Sequence, residues 1–294
     1  MTKAYYISPF HDVYVNLVLE EYLARNFDFQ ERQVLLIYIN HPCVVMGKNQ
    51  NYLKEVNLQY VFDHAIPVAR RVSGGGTVVH DVGNINFAFI ESMDYRKVNK
   101  YENSTGLLVD VIQNLGVPCY LNARNAIILQ NEKKISGSAQ FTCSRSILSH
   151  FSVLYDADLE FVNHVLTPNL FQIDSKASDS VRSVVDNLSH HLKMTRDEFI
   201  MKSLELLGYH ESLNISEDMW SEIKSLADSR TSPEYVYDKA CHGSLRKGDI
   251  YIALEDGKIK EIAGISDAAF YLGRRLHYNE IPSDKELWTY LLRE

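Results

Sequence analysis

Apolar positions recur with two different spacings along the chain, and together they predict a mixed α+β protein. Spacing close to that of a helix indicates an amphipathic helix over residues 12–27. A second helix is predicted over residues 99–115, ending near Gly116 and Pro118. Short apolar or alternating runs, bounded by glycine, proline and polar residues, predict strands. These strands are expected at residues 34–39, 43–47, 66–71, 77–81, 84–90, 126–130, 135–140 and 147–155.

Helical spacing dominates after about residue 157, and a β-hairpin follows near the C-terminus. The predicted helices span residues 157–166, 178–188, 195–207 and 216–228. The hairpin comes from DIYIAL (249–254), a Glu-Asp-Gly turn and KIKEIAGI (258–265), and a last helix from ELWTYLL. We therefore predict mixed and antiparallel β-sheets flanked by helices in a main domain, residues 1–245, with a small α/β accessory domain, residues 246–294.

Composition and charge narrow the class of protein. The chain has 294 residues, of which 46% are apolar, and this is enough for a sizeable core. Its formal charge of -8 is unlike the basic excess of most nucleic-acid binders, so we expect no nucleic-acid partner. No apolar run approaches the roughly 20 residues of a membrane span, and acids interrupt the N-terminal segment where a signal peptide needs an apolar stretch. The four scattered cysteines include no CxxC pair. We expect a reduced, cytoplasmic protein without a membrane partner.

The segment RRVSGGGTVVHDVGN, residues 70–84, is the most informative stretch. Glycines allow a ligand to approach the backbone closely, and successive N–H groups can bind an anion. The two preceding arginines match the fork geometry of carboxylate or phosphate. The segment is neither a Walker loop nor a dinucleotide fingerprint, because the expected glycines join two strands in a tight turn. A flexible hairpin tip is the simpler explanation, but the flanking Arg and His-Asp residues favour a ligand loop.

A second informative segment, NARNAIILQNEKKISGSAQ, spans residues 122–140. Small residues after Lys134 suggest that a ligand approaches the backbone there. A lysine ammonium can stabilise a phosphate or a negative charge that develops on a carboxyl group. We interpret Lys133 as a solvated turn residue, whereas the spacing alone leaves both interpretations open for Lys134. His150 lies on an alternating strand, where a histidine is more often a half-buried structural residue than a ligand contact.

Together these segments resemble the lipoate–protein ligase A family of the biotin/lipoate ligase superfamily. The resemblance rests on Arg70-Arg71-x-Ser73-Gly74-Gly75-Gly76-x-Val78-x-His80-Asp81-x-Gly83-Asn84 and on Lys134-Ile135-Ser136-Gly137-Ser138-Ala139. Weaker support comes from Gly47-x-Asn49-Gln50-Asn51 and from LYDADL, residues 154–159. The match covers most of residues 1–165, and the tail GDIYIALEDGKIKEIAGISD is similar to the small accessory domain of the family. The resemblance implies the biotin/lipoate ligase catalytic fold.

The resemblance also implies a reaction in two steps. Lipoate and MgATP would give lipoyl-AMP and pyrophosphate. The adenylate would then acylate a lysine of a carrier domain, either in the E2 subunit of a 2-oxoacid dehydrogenase or in a glycine-cleavage H protein. The implied small-molecule partners are therefore ATP, Mg²⁺ and lipoate.

Matching the family motifs residue by residue implies a set of site residues. Lys134 would be the catalytic residue, in contact with both the lipoyl carbonyl and the phosphate. ATP or the adenylate would contact Arg71, Gly76, Thr77, Val78, Val79, Asn84, Asn125 and Lys134. Lipoate would contact Arg71, Ser73, Gly74, Gly75, His80, Lys134, Gly137 and His150. No metal ligand is assigned.

Two short blocks depart from the family pattern. Ala123-Arg124-Asn125-Ala126 stands where the family suggests Gly-Arg-Asn-Asp, and the lost carboxylate could change metal binding. His150-Phe151-Ser152 stands where His-Gly-Thr is expected, so the phenylalanine could narrow the pocket or change the acyl group accepted.

Three other functions compete with the ligase. An octanoyl or lipoyl transferase of the same fold would need no ATP and would carry the acyl group as a thioester on Cys143. Biotin–protein ligation is a second possibility, although both motifs are closer to those of lipoate enzymes. A non-catalytic protein that binds lipoyl-adenylate or the carrier is the third, and Ala126 is the reason to consider it.

Overall fold

Three β-sheets and the helices packed on them make up the protein, seen in a computed structural model that describes residues 2–27, 32–277, 279–282 and 284–292. In chain order the strands are β1 Thr2–Ile7, β2 Arg32–Tyr38, β3 Cys43–Met46, β4 Val68–Arg70, β5 Val78–His80, β6 Asn84–Ser92, β7 Cys119–Leu121, β8 Ile127–Leu129, β9 Lys134–Thr142, β10 Ser146–Leu154, β11 Gln172–Asp174, β12 Glu211–Ser212, β13 Gly243–Lys247, β14 Ile250–Glu255 and β15 Lys258–Ala263. The α-helices are α1 Val13–Asn26, α2 Tyr52–Glu55, α3 Leu58–Asp63, α4 Glu102–Asn114, α5 Leu159–Leu166, α6 Arg196–Leu207, α7 Glu217–Arg230, α8 Ala268–Tyr271 and α9 Glu286–Leu292. A π-helical turn, Glu234–Asp238, follows α7. Within the described ranges, every helix is too short or too polar to cross a membrane.

The largest sheet has eight strands in the order β12-β1-β2-β6-β10-β9-β8-β7. β1 is parallel to both of its neighbours, whereas all pairs from β2 to β7 are antiparallel. This mixture of sheets with flanking helices confirms the predicted α+β class.

Helices cover both faces of the largest sheet at its centre. Leu35 and Ile37 of β2 are buried in a core with residues of α4 and α6. Leu36 points to the opposite core, which contains residues of α1 and α7. A strand covered on both faces has no polar side, and this explains why the run from Val34 to Tyr38 is apolar throughout.

A three-stranded sheet in the order β4-β3-β5 carries the glycine-rich segment. β3 lies between the other two strands, parallel to β4 and antiparallel to β5. The prediction that the glycines form a tight turn between two paired strands is therefore wrong, because residues 71–77 must cross the end of β3. The glycine-rich segment is a crossover whose backbone is not fixed by a hairpin ladder.

Residues 178–187 form no helix, which corrects the prediction made from apolar spacing. Val181 and Val184 are 60% and 71% exposed, so these positions do not face a core. The segment lies beside β9 instead, where the Lys134 N–H donates to the Val184 carbonyl (2.9 Å). The Asp186 N–H in turn donates to the Lys134 carbonyl (3.1 Å). Backbone hydrogen bonds with Lys134 of β9 are thus formed in place of those of the predicted helix.

The predicted C-terminal hairpin is present as β14 and β15, within a four-stranded sheet in the order β11-β13-β14-β15. This sheet takes β11 from a distant part of the chain. Its apolar residues form one core with those of the three-stranded sheet and of α2, α3 and α9. The boundary between residues 245 and 246 stays a prediction, and it falls within β13.

Arg275 connects the C-terminal segment to the π-helical turn. Its buried guanidinium forms ion pairs with Asp238 (2.6 Å), Glu234 (2.7 Å) and Glu280 (3.0 Å). The contact with Asp238 is bidentate, because Nη2 also donates to Oδ2 (2.8 Å). The hydrogen bonds that Arg275 donates to Asp238, together with the negative charge of the nearby carboxylates, raise the pKa of Arg275 above its ordinary value. The guanidinium is therefore the charged centre of this contact.

We predict that Arg275→Met lowers the free energy of unfolding by roughly 3 kcal/mol, because the change leaves the carboxylate of Asp238 without its cation. Urea denaturation measures the difference. Lys260→Met is the control, since Lys260 pairs with Glu255 at the surface, where both side chains are about 60% exposed. An exposed pair of this kind contributes little. A loss at Arg275 no larger than that at Lys260 would contradict this prediction.

Candidate active site

A cavity of about 460 Å³ opens between the largest sheet, the glycine-rich segment and residues 178–183. Nine of the residues predicted for the site line this cavity: Arg71, Gly75, Gly76, Thr77, Val78, His80, Lys134, Gly137 and His150. Five others do not line it: Ser73, Gly74, Val79, Asn84 and Asn125. The fold thus brings the glycine-rich segment and the lysine strand, which are far apart in the sequence, to one cavity.

A row of residues across four strands of the largest sheet forms one wall of the cavity. Tyr38 of β2 lies opposite Asn86 of β6, and Asn86 lies opposite Ser152 of β10. Ser152 in turn lies opposite Gly137 of β9. All four residues line the cavity. The row spans three strand spacings, or roughly 14 Å at about 4.8 Å each, so the cavity is elongated across the sheet.

A β-bulge directs Lys134 into this cavity. Ile127 of β8 pairs with Ser136, but Ile128 pairs with Lys134, so β9 carries one extra residue. Strict alternation would place Lys134 and Gly137 on opposite faces, whereas both line the cavity. A β-carbon built on Gly137 would lie 3.6 Å from the Lys134 ammonium. The glycine therefore leaves space for a ligand in front of the ammonium.

The surroundings of Lys134 fix the position of its backbone and lower the pKa of its ammonium. The backbone of residues 184–186 binds its N–H and its carbonyl, so the residue is held on both sides. Burial lowers the pKa of Lys134, and the positive charge of Arg124 lowers it further. Both causes disfavour the ammonium in the free protein, and an anionic ligand would oppose both.

Arg71 shapes the glycine-rich segment from within. Its Nη2 donates to the carbonyls of Gly74 and Gly76 (both 2.7 Å), and its Nε donates to the Ser73 hydroxyl (2.9 Å). Nη1 donates to the Val45 carbonyl (3.1 Å). Burial lowers the pKa of Arg71 to about 10, which leaves it protonated at neutral pH. Its observed hydrogen bonds are thus with the segment itself and with β3, and its predicted contact with the nucleotide stays a prediction.

Arg70 is equally buried but binds a different loop. Its guanidinium donates to the carbonyls of Gly47, Lys48, Gln50 and Val236. Burial lowers the pKa of Arg70, too, to about 10. No carboxylate of the described ranges pairs with Arg70, and its guanidinium is hydrogen-bonded to backbone carbonyls.

Hydrogen bonds of Ser180 attach residues 178–183 to the glycine-rich segment, and no sequence pattern predicted this contact. Its hydroxyl oxygen accepts from the Thr77 N–H (2.8 Å) and from Nε2 of Gln50 (2.9 Å), and the hydroxyl donates to Glu55. A β-carbon on Gly76 would lie 3.0 Å from this oxygen, which explains the glycine there. Gln50 belongs to the weakly matching Gly47-x-Asn49-Gln50-Asn51 block, the one sequence signal near this contact.

Buried hydrogen bonds connect His150 to α1 and to the glycine-rich segment. The Nδ1 atom of His150 lies 2.7 Å from the carboxylate of Glu20, and Nε2 lies 2.7 Å from the Ser73 hydroxyl. Tyr38 also donates to Glu20 (2.9 Å). The Ser73 oxygen also accepts from Nε of Arg71 (2.9 Å), so the hydroxyl connects Arg71 to His150. Glu20 was not predicted, because nothing in α1 marks a buried carboxylate.

His80 completes the histidine pair of the cavity and stays uncharged. Burial lowers its pKa to about 3, and the charges of Arg71 and His150 act in the same direction. Its Nδ1 lies 3.0 Å from the side-chain amide of Asn40. His80 can therefore offer hydrogen bonds and shape, but not charge, at neutral pH.

Three predicted residues support the site from outside the cavity. Val79 is buried in the core of the three-stranded sheet. Asn84 is fully buried and donates to Asn86 (3.1 Å), while its own oxygen has no partner within the described residues. Asn125 adopts a positive φ of 59° in a turn, and its carbonyl accepts from Ser138 (2.8 Å). Direct contacts of all three with a nucleotide stay predictions.

Cys143 is not among the residues that line the cavity. It follows the end of β9, whereas Lys134 begins that strand. Nine residues of the strand, or roughly 30 Å at about 3.3 Å each, separate Cys143 from Lys134, and four residues, or roughly 13 Å, separate it from Ala139, the last residue of β9 that lines the cavity. The thiol instead lies 3.4 Å from both the Ala24 carbonyl and the Ser146 hydroxyl. This placement argues against a thioester on Cys143 during acyl transfer in the cavity.

Positive charge prevails among the residues that line the cavity. Arg71, Arg124 and Lys134 are cationic, and the single carboxylate in the described lining is Asp179, which pairs with Lys54. No group of three or more histidine, cysteine or acidic residues in the described ranges could hold a metal ion. The cavity therefore suits an anionic ligand and does not supply a carboxylate cluster for Mg²⁺.

Comparisons with known proteins agree with these features. Residues 12–207 match the family model described as the lipoyl protein ligase A/B catalytic domain. The lipoate-protein ligase LplJ of Bacillus subtilis is 33% identical over 268 residues, which cover 85% of this chain and 80% of that protein. A crystal structure of lipoate-protein ligase A bound with ATP has a TM-score of 0.66 at 24% identity, covering 79% of this chain and 96% of the other.

A structure from Thermoplasma acidophilum extends the comparison. It was solved in a structural analysis of an archaeal lipoylation system that comprises a bipartite lipoate protein ligase and its E2 lipoyl domain. Its TM-score is 0.65 at 25% sequence identity. It covers 80% of this chain and 95% of the other. With the matched catalytic domain and the similar relative, these findings identify the chain as a member of the lipoyl protein ligase A/B family.

Proposed function

We propose that this chain is an ATP-dependent lipoate–protein ligase that forms lipoyl-AMP and transfers the lipoyl group to a lysine of a carrier domain. The observation that carries the proposal is the position of Lys134. Its partly desolvated ammonium faces a cavity lined by the glycine-rich segment, with Gly137 leaving space in front of it. The family to which the chain belongs supports the same activity.

In the first step, a carboxylate oxygen of lipoate attacks the α-phosphorus of ATP, and the bond to the β-phosphate oxygen breaks. Both reactants are anions, so a cation between them lowers their repulsion. We assign this role to Lys134, with backbone N–H groups of the glycine-rich segment available to bind phosphate oxygens. The electron pair leaves with pyrophosphate, and no proton moves.

In the second step, the neutral amine of the carrier lysine attacks the acyl carbonyl and an amide bond forms. The bond from the carbonyl carbon to the phosphate oxygen breaks, its electron pair leaves with AMP, and the amine releases a proton to solvent. The ammonium of Lys134 would then stabilise negative charge on both the carbonyl oxygen and the departing phosphate. The proposed carrier is the lipoyl domain of an E2 subunit, as in the archaeal relative, with a glycine-cleavage H protein as a second acceptor. Mg²⁺ is proposed only as the ion that ATP brings on its phosphates, since the lining residues offer no carboxylate cluster.

We expect Lys134→Ala to slow lipoyl-AMP formation about 100- to 1,000-fold, the usual effect of removing one stabilising group at a reacting centre. Pyrophosphate release with ATP, Mg²⁺ and lipoate measures the step. Lys133→Ala is the matched control, because Lys133 precedes the site, is 44% exposed and pairs with Asp186 (3.4 Å). Equal losses in the two variants would assign the effect to general charge and not to Lys134.

The lowered pKa of Lys134 predicts how the first step depends on pH. The ammonium is the active form, so activity is present below this pKa and is lost as pH rises through it. We therefore expect an alkaline decline that begins below the ordinary range of lysine, seen in the pH profile of pyrophosphate release. In Lys134→Arg, whose side chain stays charged, any remaining activity should not decline over that interval. A decline that is the same in both proteins would exclude Lys134 as its source.

Cys143→Ser distinguishes the ligase from the transferase alternative. Because Cys143 lies at the opposite end of β9, we expect the variant to keep full turnover with ATP, lipoate and a lipoyl domain. Mass spectrometry of the acylated lipoyl domain measures the product. ATP-independent acyl transfer in the original protein, abolished in Cys143→Ser, would favour the transferase.

A further inference from the structure

Arg124 lies at the tip of a turn that faces the cavity and is fixed by its own hydrogen bonds. The Asn122 side chain accepts from the N–H groups of Arg124 (2.9 Å) and Ala126 (3.0 Å). The Asn122 N–H donates to the Ala126 carbonyl (3.0 Å), which closes the turn. Ser138 of β9 binds the carbonyl of Asn125 (2.8 Å). The turn is thus attached to the strand that carries Lys134.

The guanidinium of Arg124 differs from those of the other arginines near the site. Arg70 and Arg71 direct their donors into backbone carbonyls. Arg124 is exposed and lines the cavity, and no hydrogen bond or ion pair of its guanidinium occurs in the described part of the chain. Its donors are therefore available to a ligand.

No acid nearby neutralises this charge. Ala126, which follows in the same turn, also lines the cavity and stands where the family pattern suggests a carboxylate. Asp179, the acid in the described lining, is paired with Lys54. Arg124 is close enough to Lys134 for its charge to lower the pKa of that lysine. The two residues thus form an uncompensated positive pair on one side of the cavity.

We propose that Arg124 binds the β- and γ-phosphates of ATP and the pyrophosphate that leaves, while Lys134 serves the reacting carboxyl group and the α-phosphate. This inference rests on the proposed ligase function. When the bond from the α-phosphorus to the bridging oxygen breaks, the electron pair passes to pyrophosphate and increases its negative charge. A guanidinium fork matches such oxygens and binds them more strongly as that charge grows.

The assignment separates the two half-reactions, because lipoyl-AMP contains neither the β- nor the γ-phosphate. We expect Arg124→Ala to raise the KM for ATP, and to lower kcat/KM for ATP in pyrophosphate release, by about 10- to 100-fold, as for loss of one charge-assisted contact. Arg124→Lys should recover part of this loss. Transfer from chemically prepared lipoyl-AMP to an E2 lipoyl domain should be unchanged in both variants, which also shows that they fold.

Arg182→Ala is the matched control for general electrostatic attraction. Arg182 is exposed beside the cavity but does not line it, and like Arg124 it has no ion pair in the described residues. We expect its KM for ATP to stay within about twofold of the original value, as for most surface changes.

Three results would overturn the assignment: an unchanged KM for ATP in Arg124→Ala, an equal change in Arg182→Ala, or an equal slowing of transfer from lipoyl-AMP. The last result would place Arg124 at the α-phosphate or the acyl group. Failure of the original protein to form lipoyl-AMP from ATP and lipoate would instead contradict the proposed function itself. The two failures are therefore distinguishable in one series of assays.

Discussion

Two neighbouring arginines, both buried and neither paired with a carboxylate of the described residues, hold the loops around the cavity. Arg70 is the last residue of β4 and reaches the loop before α2, whereas Arg71, directly after the strand, reaches the glycine-rich segment. Their charges are stabilised by carbonyl dipoles, and burial lowers both pKa values to about 10. The glycine-rich segment has no hairpin ladder to shape it. Its conformation, and hence the wall of the cavity, depends on the bonds that Arg71 makes within it.

The sequence predicted the parts of the site that depend on local chemistry. A run of glycines and a lysine followed by small residues indicated ligand contacts, and nine predicted residues do line one cavity. Contacts made only by tertiary folding were missed: Glu20 behind His150, and Ser180 above Thr77. The helix predicted at 178–188 failed because its valines are spaced like an apolar face but are exposed to solvent. The short elements β1, α2 and α3 were also missed, since too few residues define their periodicity.

Net charge and local charge differ sharply in this protein. The chain carries 38 acids against 30 bases, yet the described lining of the cavity holds three cations and one paired carboxylate. Most of the acidic excess therefore lies elsewhere. The field in a low-dielectric cavity depends mainly on the nearest charges, so an acidic protein can still attract anions at this site. The prediction of no nucleic-acid partner rests on net charge alone, and net charge contains no information about the ligand of the cavity.

The three cations of the cavity differ in how many of their hydrogen-bond donors are already occupied by groups of the protein, and this difference suits them to different roles. Arg71 donates four hydrogen bonds to neighbouring groups of the protein, so its donors are largely occupied and it is a poor candidate for binding a phosphate that moves during the reaction. The backbone of Lys134 is held by hydrogen bonds. Its ammonium is destabilised by burial and by a neighbouring positive charge. Arg124 is the source of that positive charge. An anion bound between Arg124 and Lys134 would offset the repulsion between these two positive charges. Part of the free energy of binding would therefore come from charges that have no partner in the folded protein's described residues.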